Sequence, residues 1–188
     1  MNISNEFNIV IFENIFNDMS GKIFISHSSK DKQIVSAFVD KILNLGLGID
    51  RDDIFYTSAT DTGVKSGEDF KSAIKENIKN SICVIQIITE NYKASEICMN
   101  EMGAAWVLSN NVIPFVFSNF RFENVGFIHN NTHILKLDNA EDLFKFQDDH
   151  PELYGERKIK QSNYHTQVNE FLGLVSGNNL RYGGSYFR

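Results

Sequence analysis

Hydrophobic residues recur along this chain at two alternating spacings. KIFIS (Lys22–Ser26) is a short β run that closes on the polar HSSKD. Ile34, Val35, Phe38, Val39, Ile42 and Leu43 follow at a 3.6-residue period, which predicts an amphipathic helix ending near Gly46. Ser29 is the expected N-cap of that helix. IFYTS (Ile54–Ser58) reads as a second strand, and a polar loop, ATDTGVKSGED, follows it. ICVIQIIT (Ile82–Thr89) is apolar almost throughout, as strands buried on both faces are. A helix containing ASEICMNEMGAAW (Ala94–Trp106) comes next, then VIPFVF (Val112–Phe117) and a last strand, HILKLD (His133–Asp138). Helices are expected around Ala140–Phe146 and Tyr164–Val175.

Strand–helix alternation with short links predicts an α/β fold with a mainly parallel sheet. About five strands suit a flavodoxin-like three-layer arrangement, order 2-1-3-4-5, with helices on both faces. Ligands in such sheets bind beyond the carboxyl ends of the strands, where the winding reverses. That point lies between strands one and three. HSS, the TSATDTGVKSG loop and TENYKAS all fall around it. Residues 1–20 precede the pattern. Phe12, Ile15, Phe16 and Met19 give them a helical spacing and predict an extra helix. Residues 21–175 form the domain, and 176–188, rich in Gly and Asn, read as a flexible tail.

Glu101 stands out against this background. Its helical neighbours are Ile97, Cys98, Ala104 and Ala105, and none can pair with a charge. Such a Glu points into water, meets a partner from elsewhere in the fold, or faces a cleft. Trp106, on the same helix, reads as a core residue. Glu96, in the first turn, suits the helix dipole.

Composition narrows the function classes. The 188 residues are 42% hydrophobic and 22% charged, enough for a full core. With 18 basic and 24 acidic residues the formal charge is -6, so the surface as a whole attracts neither nucleic acid nor anionic lipid. Cys83 and Cys98 are not in a CxxC pair and read as buried hydrophobes. MNISNEFNIV lacks the basic n-region of a signal peptide, and no apolar run approaches a membrane span. A cytoplasmic location is the expectation. No Walker, dinucleotide, HExxH, GxSxG or EF-hand pattern occurs, and the five His are scattered, so no metal site is expected.

KIFISHSSKD, then IFYTSATDTGVKSGEDF, then ITENYKASEICMNEM, in that order and spacing, resembles a bacterial Toll/interleukin-receptor (TIR) domain over roughly 22–175. GVKSGEDF resembles the family's BB loop opening into its second helix, and SEICMNEM resembles its third-helix pattern. The resemblance implies a flavodoxin-like fold and one of two activities. Some TIR domains cleave the nicotinamide–ribose bond of NAD, releasing ADP-ribose or a cyclic isomer, in bacterial antiphage defence. Others are non-catalytic adaptors that assemble with like domains. In the enzymes the essential carboxylate is the third-helix Glu, which falls on Glu101.

Candidate NAD contacts are Ser28 and Ser29 after the first strand, Ser58 after the second, Lys65 in the glycine-bearing loop, and Tyr92. Gly63 and Gly67 give that loop the freedom of a lid. NAD is substrate here, with no prosthetic group expected. The implied partners are a second copy through the BB loop and a downstream effector or receptor of a nucleotide signal. Neither nucleic acid nor membrane is expected. Many NAD-cleaving members carry Trp four residues before the Glu; Ile97 stands there, which leaves hydrolysis and cyclisation both open. Many BB loops carry Pro where this chain has Ser66.

Overall fold

A computed structural model describes residues 22–56, 70–109, 111–129 and 131–177. The helical spacing at Phe12–Met19, the BB-loop residues Ser58, Gly63, Lys65, Ser66 and Gly67, and nearly all of the tail lie outside the described residues. Five strands form one parallel sheet in the order β2-β1-β3-β4-β5. They are β1 (Lys22–His27), β2 (Ile54–Tyr56), β3 (Ser81–Ile87), β4 (Val112–Val116) and β5 (Leu135–Lys136). The helices are α1 (Lys32–Phe38, continued by a π-helical Val39–Gly46), α2 (Phe70–Asn80), the one-turn α3 (Glu90–Lys93), α4 (Glu96–Leu108), α5 (Ala140–Asp149) and α6 (Gln161–Ser176). This is the flavodoxin-like topology that strand–helix alternation predicts.

Side-chain alternation along the strands sorts the helices onto two faces. Ile23 and Ile25 of β1, with Ile85 and Ile87 of β3, pack against the stripe of α1 and against α5 and α6. Phe24 and Val84 face the other way and pack with Ile78 of α2 and Ala105 of α4. Each stripe residue of α1 is buried, and each such burial contributes roughly 1.5–3 kcal/mol.

The β4–β5 side of the sheet shows two local adjustments. Pro114 is tolerated inside β4 because the odd-numbered residues face β3: Asn111 and Phe115 carbonyls accept from Val84 and Ile88. The missing N–H of Pro114 therefore points to the β5 side, where pairing begins only at Phe115. β5 shrinks to two residues: one side chain takes a backbone donor of the ladder, and another covers a donor on the open edge. Asp138 accepts from Ser118 N at 2.9 Å, and Asp142 accepts from Lys136 N at 2.8 Å.

α1 does end at Gly46. Its last turn widens to π geometry, with Leu47 N donating to Ile42 O at 2.9 Å. A Cβ on Gly46 would lie 2.9 Å from both Lys41 O and the Tyr164 ring. Tyr164 cannot swing aside, because it is fully buried and its hydroxyl donates to Leu143 O at 2.7 Å. Gly46→Ala is expected to cost about 1–3 kcal/mol of stability, read from a denaturant midpoint at unchanged slope.

Candidate functional site

The α4 face of the sheet changes character near the carboxyl ends of the strands. Two residues beyond Phe24 and Val84 stand Ser26 and Gln86, on the same face and in register across β1 and β3. Both are fully buried. A polar layer thus begins where the apolar one stops, at the point where the sheet's winding reverses.

Glu101 enters this layer from α4. Ser95 caps that helix, accepting from Cys98 N at 3.3 Å. The helix buries Cys98, Glu101, Met102 and Ala105 and turns Ile97, Trp106 and Val107 outward. Glu101 is 3% exposed, so it is not a surface residue. Ser26 Oγ donates to its Oε2 at 2.6 Å. The Tyr92 hydroxyl lies 2.9 Å from the same Oγ. A serine has one hydroxyl proton, and it is committed to Glu101, so Tyr92 must donate to Ser26. Burial, with the Glu101 carboxylate adding to it, pushes the Tyr92 phenol well above its ordinary value. The phenol therefore stays protonated and keeps donating. The result is a directed relay, Tyr92 O–H to Ser26 O–H to the Glu101 carboxylate.

A second buried carboxylate ties the rim together. Asp31, in the turn after β1, accepts from Thr89 Oγ1 at 2.5 Å and from Asn91 Nδ2 at 2.7 Å. Thr89 in turn caps α3, accepting from Tyr92 N at 3.0 Å. These bonds hold the segment that carries Tyr92 against the end of β1. Cys98 is structural. Its thiol, 3.4 Å from His27 O, is pushed up to about 11 by burial. Burial likewise raises the Cys83 thiol.

The other sequence-predicted positions divide. Ser28 is buried and is itself the cap, accepting from Lys30 N at 3.4 Å; Ser29 is exposed in the same short 3-10 turn. The N-cap expected at Ser29 does not form: Ser28 caps the 3-10 turn that precedes α1, and α1 itself has Asp31 at its N-cap position without a side-chain cap bond. Tyr92 is 0% exposed and presents no ring face for stacking; its hydroxyl supports Glu101 from behind. Trp106, expected in the core, is 56% exposed, because Glu101 and Ala105 take the inward face of α4. Ser58 and Lys65 lie outside the described residues. Among the described residues no cluster of three metal-ligating side chains occurs, and no helix is long and apolar enough to cross a membrane.

The sequence reading missed Ser26, Asp31, Gln86 and His129. Ser26 and Gln86 had a signal, since each interrupts an inward-facing apolar run. His129, from the β4–β5 connection, had none.

Sheet order, two-faced helix packing and a buried acidic residue on the helix after β3 define a flavodoxin-like domain of TIR type. The chain belongs to the TIR domain family, which matches residues 23–149. It is similar to the uncharacterized protein YddK of Bacillus subtilis (strain 168), 37% identical over 131 residues. That alignment covers 70% of this chain and 48% of YddK, so the chain spans about half the length of that relative. A solved structure, the TIR domains of the activated Roq1 resistosome that directly recognizes the pathogen effector XopQ, aligns with TM-score 0.39 and 17% identity, covering 82% of this chain and 84% of that one.

The imidazoles at this end of the sheet predict a pH response. Burial lowers the pKa of His27 and of His129, the latter with help from Lys93. Folded values below the ordinary 6.5 mean that the unfolded chain binds more protons, so stability rises with pH. The contribution is complete above 6.5 and is lost as pH falls through the folded values. Thermal midpoints should decline as pH drops from 7.5 toward 5, and less steeply in His129→Gln.

Proposed function

We propose that this TIR domain cleaves the nicotinamide–ribose bond of NAD, with Glu101 as the catalytic carboxylate. The observation that carries the reading is the 2.6 Å bond from Ser26 to a carboxylate that is 3% exposed at the carboxyl end of the sheet. The bond and the burial hold the carboxylate in one place at that edge. In the reaction the C1′–N bond breaks and its electron pair leaves with nicotinamide, which becomes neutral. Positive charge develops on the ribose, as in glycoside cleavage. A fixed anion in a dry site stabilises that charge, and it accepts hydrogen bonds from ribose hydroxyls. Water then attacks C1′ and loses a proton, giving ADP-ribose. Attack by a nucleophile of the ADP-ribose itself gives a cyclic isomer instead. With Ile97 half-exposed on α4, aliphatic surface stands where many relatives place an indole.

The setting we infer is bacterial antiphage signalling in the cytoplasm. Ser29, Ser58 and Lys65 are proposed NAD contacts, self-assembly through the BB loop is proposed to complete the site, and the product is proposed to act on an effector. Incubation with NAD, in apo and assembled states and in infected-cell extract, should release nicotinamide, with the second product identified by mass. Glu101→Gln should slow release by about 100-fold or more. Equal rates in both proteins would end the catalytic reading.

One observation favours the second reading, a non-catalytic adaptor that works by homotypic assembly. Trp106 and Phe127 stack edge-to-face at 6.0 Å in the open, beside exposed Val107. Apolar surface grouped in this way marks interaction sites. Under this reading Glu101→Gln leaves assembly intact, nicotinamide is never released, and Trp106→Ser lowers the assembled fraction in sedimentation without changing the thermal midpoint.

A further inference from the structure

Beside the Glu101 relay lies a second buried polar pair, Gln86 and His129. Gln86 Oε1 lies 2.8 Å from His129 Nε2. A carboxamide oxygen only accepts, so His129 holds its proton on Nε2 and donates. The imidazole comes from the β4–β5 connection, in the short turn Phe127–His129. Gln86 itself is 0% exposed, and its carboxamide nitrogen, carrying two N–H donors, has no hydrogen-bond partner. An orphaned buried donor lowers stability. On this face β3 is otherwise apolar, with Val84 below Gln86 and Ile88 just beyond the strand. Leucine or methionine would remove that orphan but would strand the buried His129 Nε2–H, so the oxygen of Gln86 serves the fold while its nitrogen does not. The fold accounts for the carboxamide oxygen, and the nitrogen is the group left to account for.

We propose that the Gln86 carboxamide is a ligand-binding group of this site, donating to the carboxamide oxygen of the nicotinamide base. This rests on the NAD reading above and adds which residue recognises the leaving group. Gln86 and Ser26 are register partners on adjacent strands, about 4.8 Å apart, and point to the same face. Ser26 touches Glu101. A ribose held at Glu101 thus places the base bonded to its C1′ within the same polar layer, where the amide donors stand. Their neutrality suits the task. The intact substrate carries a pyridinium charge that a cationic donor would repel, while an amide binds the base in both its charged and its departing neutral form. His129 holds the amide oxygen and leaves the nitrogen as the group presented.

The experiment compares the full-length chain with Gln86→Leu, Gln86→Met and Glu101→Gln. It measures nicotinamide release, inhibition by nicotinamide and by pyridine, which lacks the carboxamide, and the thermal midpoint without ligand. Both Gln86 variants strand the His129 donor, so a somewhat lower midpoint is expected and the base discrimination is the deciding readout. They should weaken inhibition by nicotinamide at least tenfold while inhibition by pyridine stays the same. A lowered midpoint with wild-type discrimination between the two bases makes Gln86 structural and overturns the inference. That result alongside an inactive Glu101→Gln leaves the NAD reading standing. Should the wild-type chain release no nicotinamide in any state, the NAD reading fails. Ligand-detected NMR of the two bases then judges Gln86 alone, and equal nicotinamide binding by wild type and Gln86→Leu overturns the inference as well.

Discussion

The hydrogen bond from Ser26 to Glu101 is the constraint around which this end of the molecule is arranged. It joins β1 to the helix packed across it, and it does so through a buried carboxylate. Removing a carboxylate from water costs several kcal/mol unless donors meet it. One such donor is the Ser26 hydroxyl, whose own oxygen is occupied by the Tyr92 phenol. Tyr92 is in turn set by Thr89 and Asp31. The carboxylate's place therefore depends on a chain of single-proton donors whose directions leave little choice.

The sheet makes that chain possible by dividing one face into two zones. Toward the amino ends of the strands, Phe24 and Val84 pack against Ala105 and Ile78 and fix the height of α4. Toward the carboxyl ends, Ser26 and Gln86 replace them, and the same helix lowers Glu101 onto them. The apolar zone supplies the burial energy and the polar zone supplies the chemistry. Low local dielectric strengthens each hydrogen bond in the polar zone and makes each unmet group costly. The unpartnered nitrogen of Gln86 is conspicuous for that reason.

Much of this was legible beforehand. The period-3.6 stripe of α1 and the continuous apolar run of β3 led directly to a parallel sheet, because each pattern has few ways to bury itself. Glu101 was recognisable as an anomaly, since none of its helical neighbours can pair with it. α4 was different. It is apolar on nearly all sides, so no stripe marked its inward face, and Trp106 was assigned to the core on size alone. The choice of face fell to the smaller Ala105, which lets the helix approach Phe24 closely and leaves the indole outside. β5 is shorter than its apolar run predicts because Asp138 takes Ser118 N, a backbone partner that a longer ladder would otherwise use.

By itself the sequence determined the element order, the sheet's topology and the oddity of one acidic residue. Those follow from periodicity and local pairing, which act over a few residues. Tertiary structure alone decided which groups meet that residue. Ser26 is 75 positions away from Glu101, and Gln86 is 43 from His129. Spacing along the chain carries no record of such meetings; they arise when strands come into register and a helix is pressed onto them.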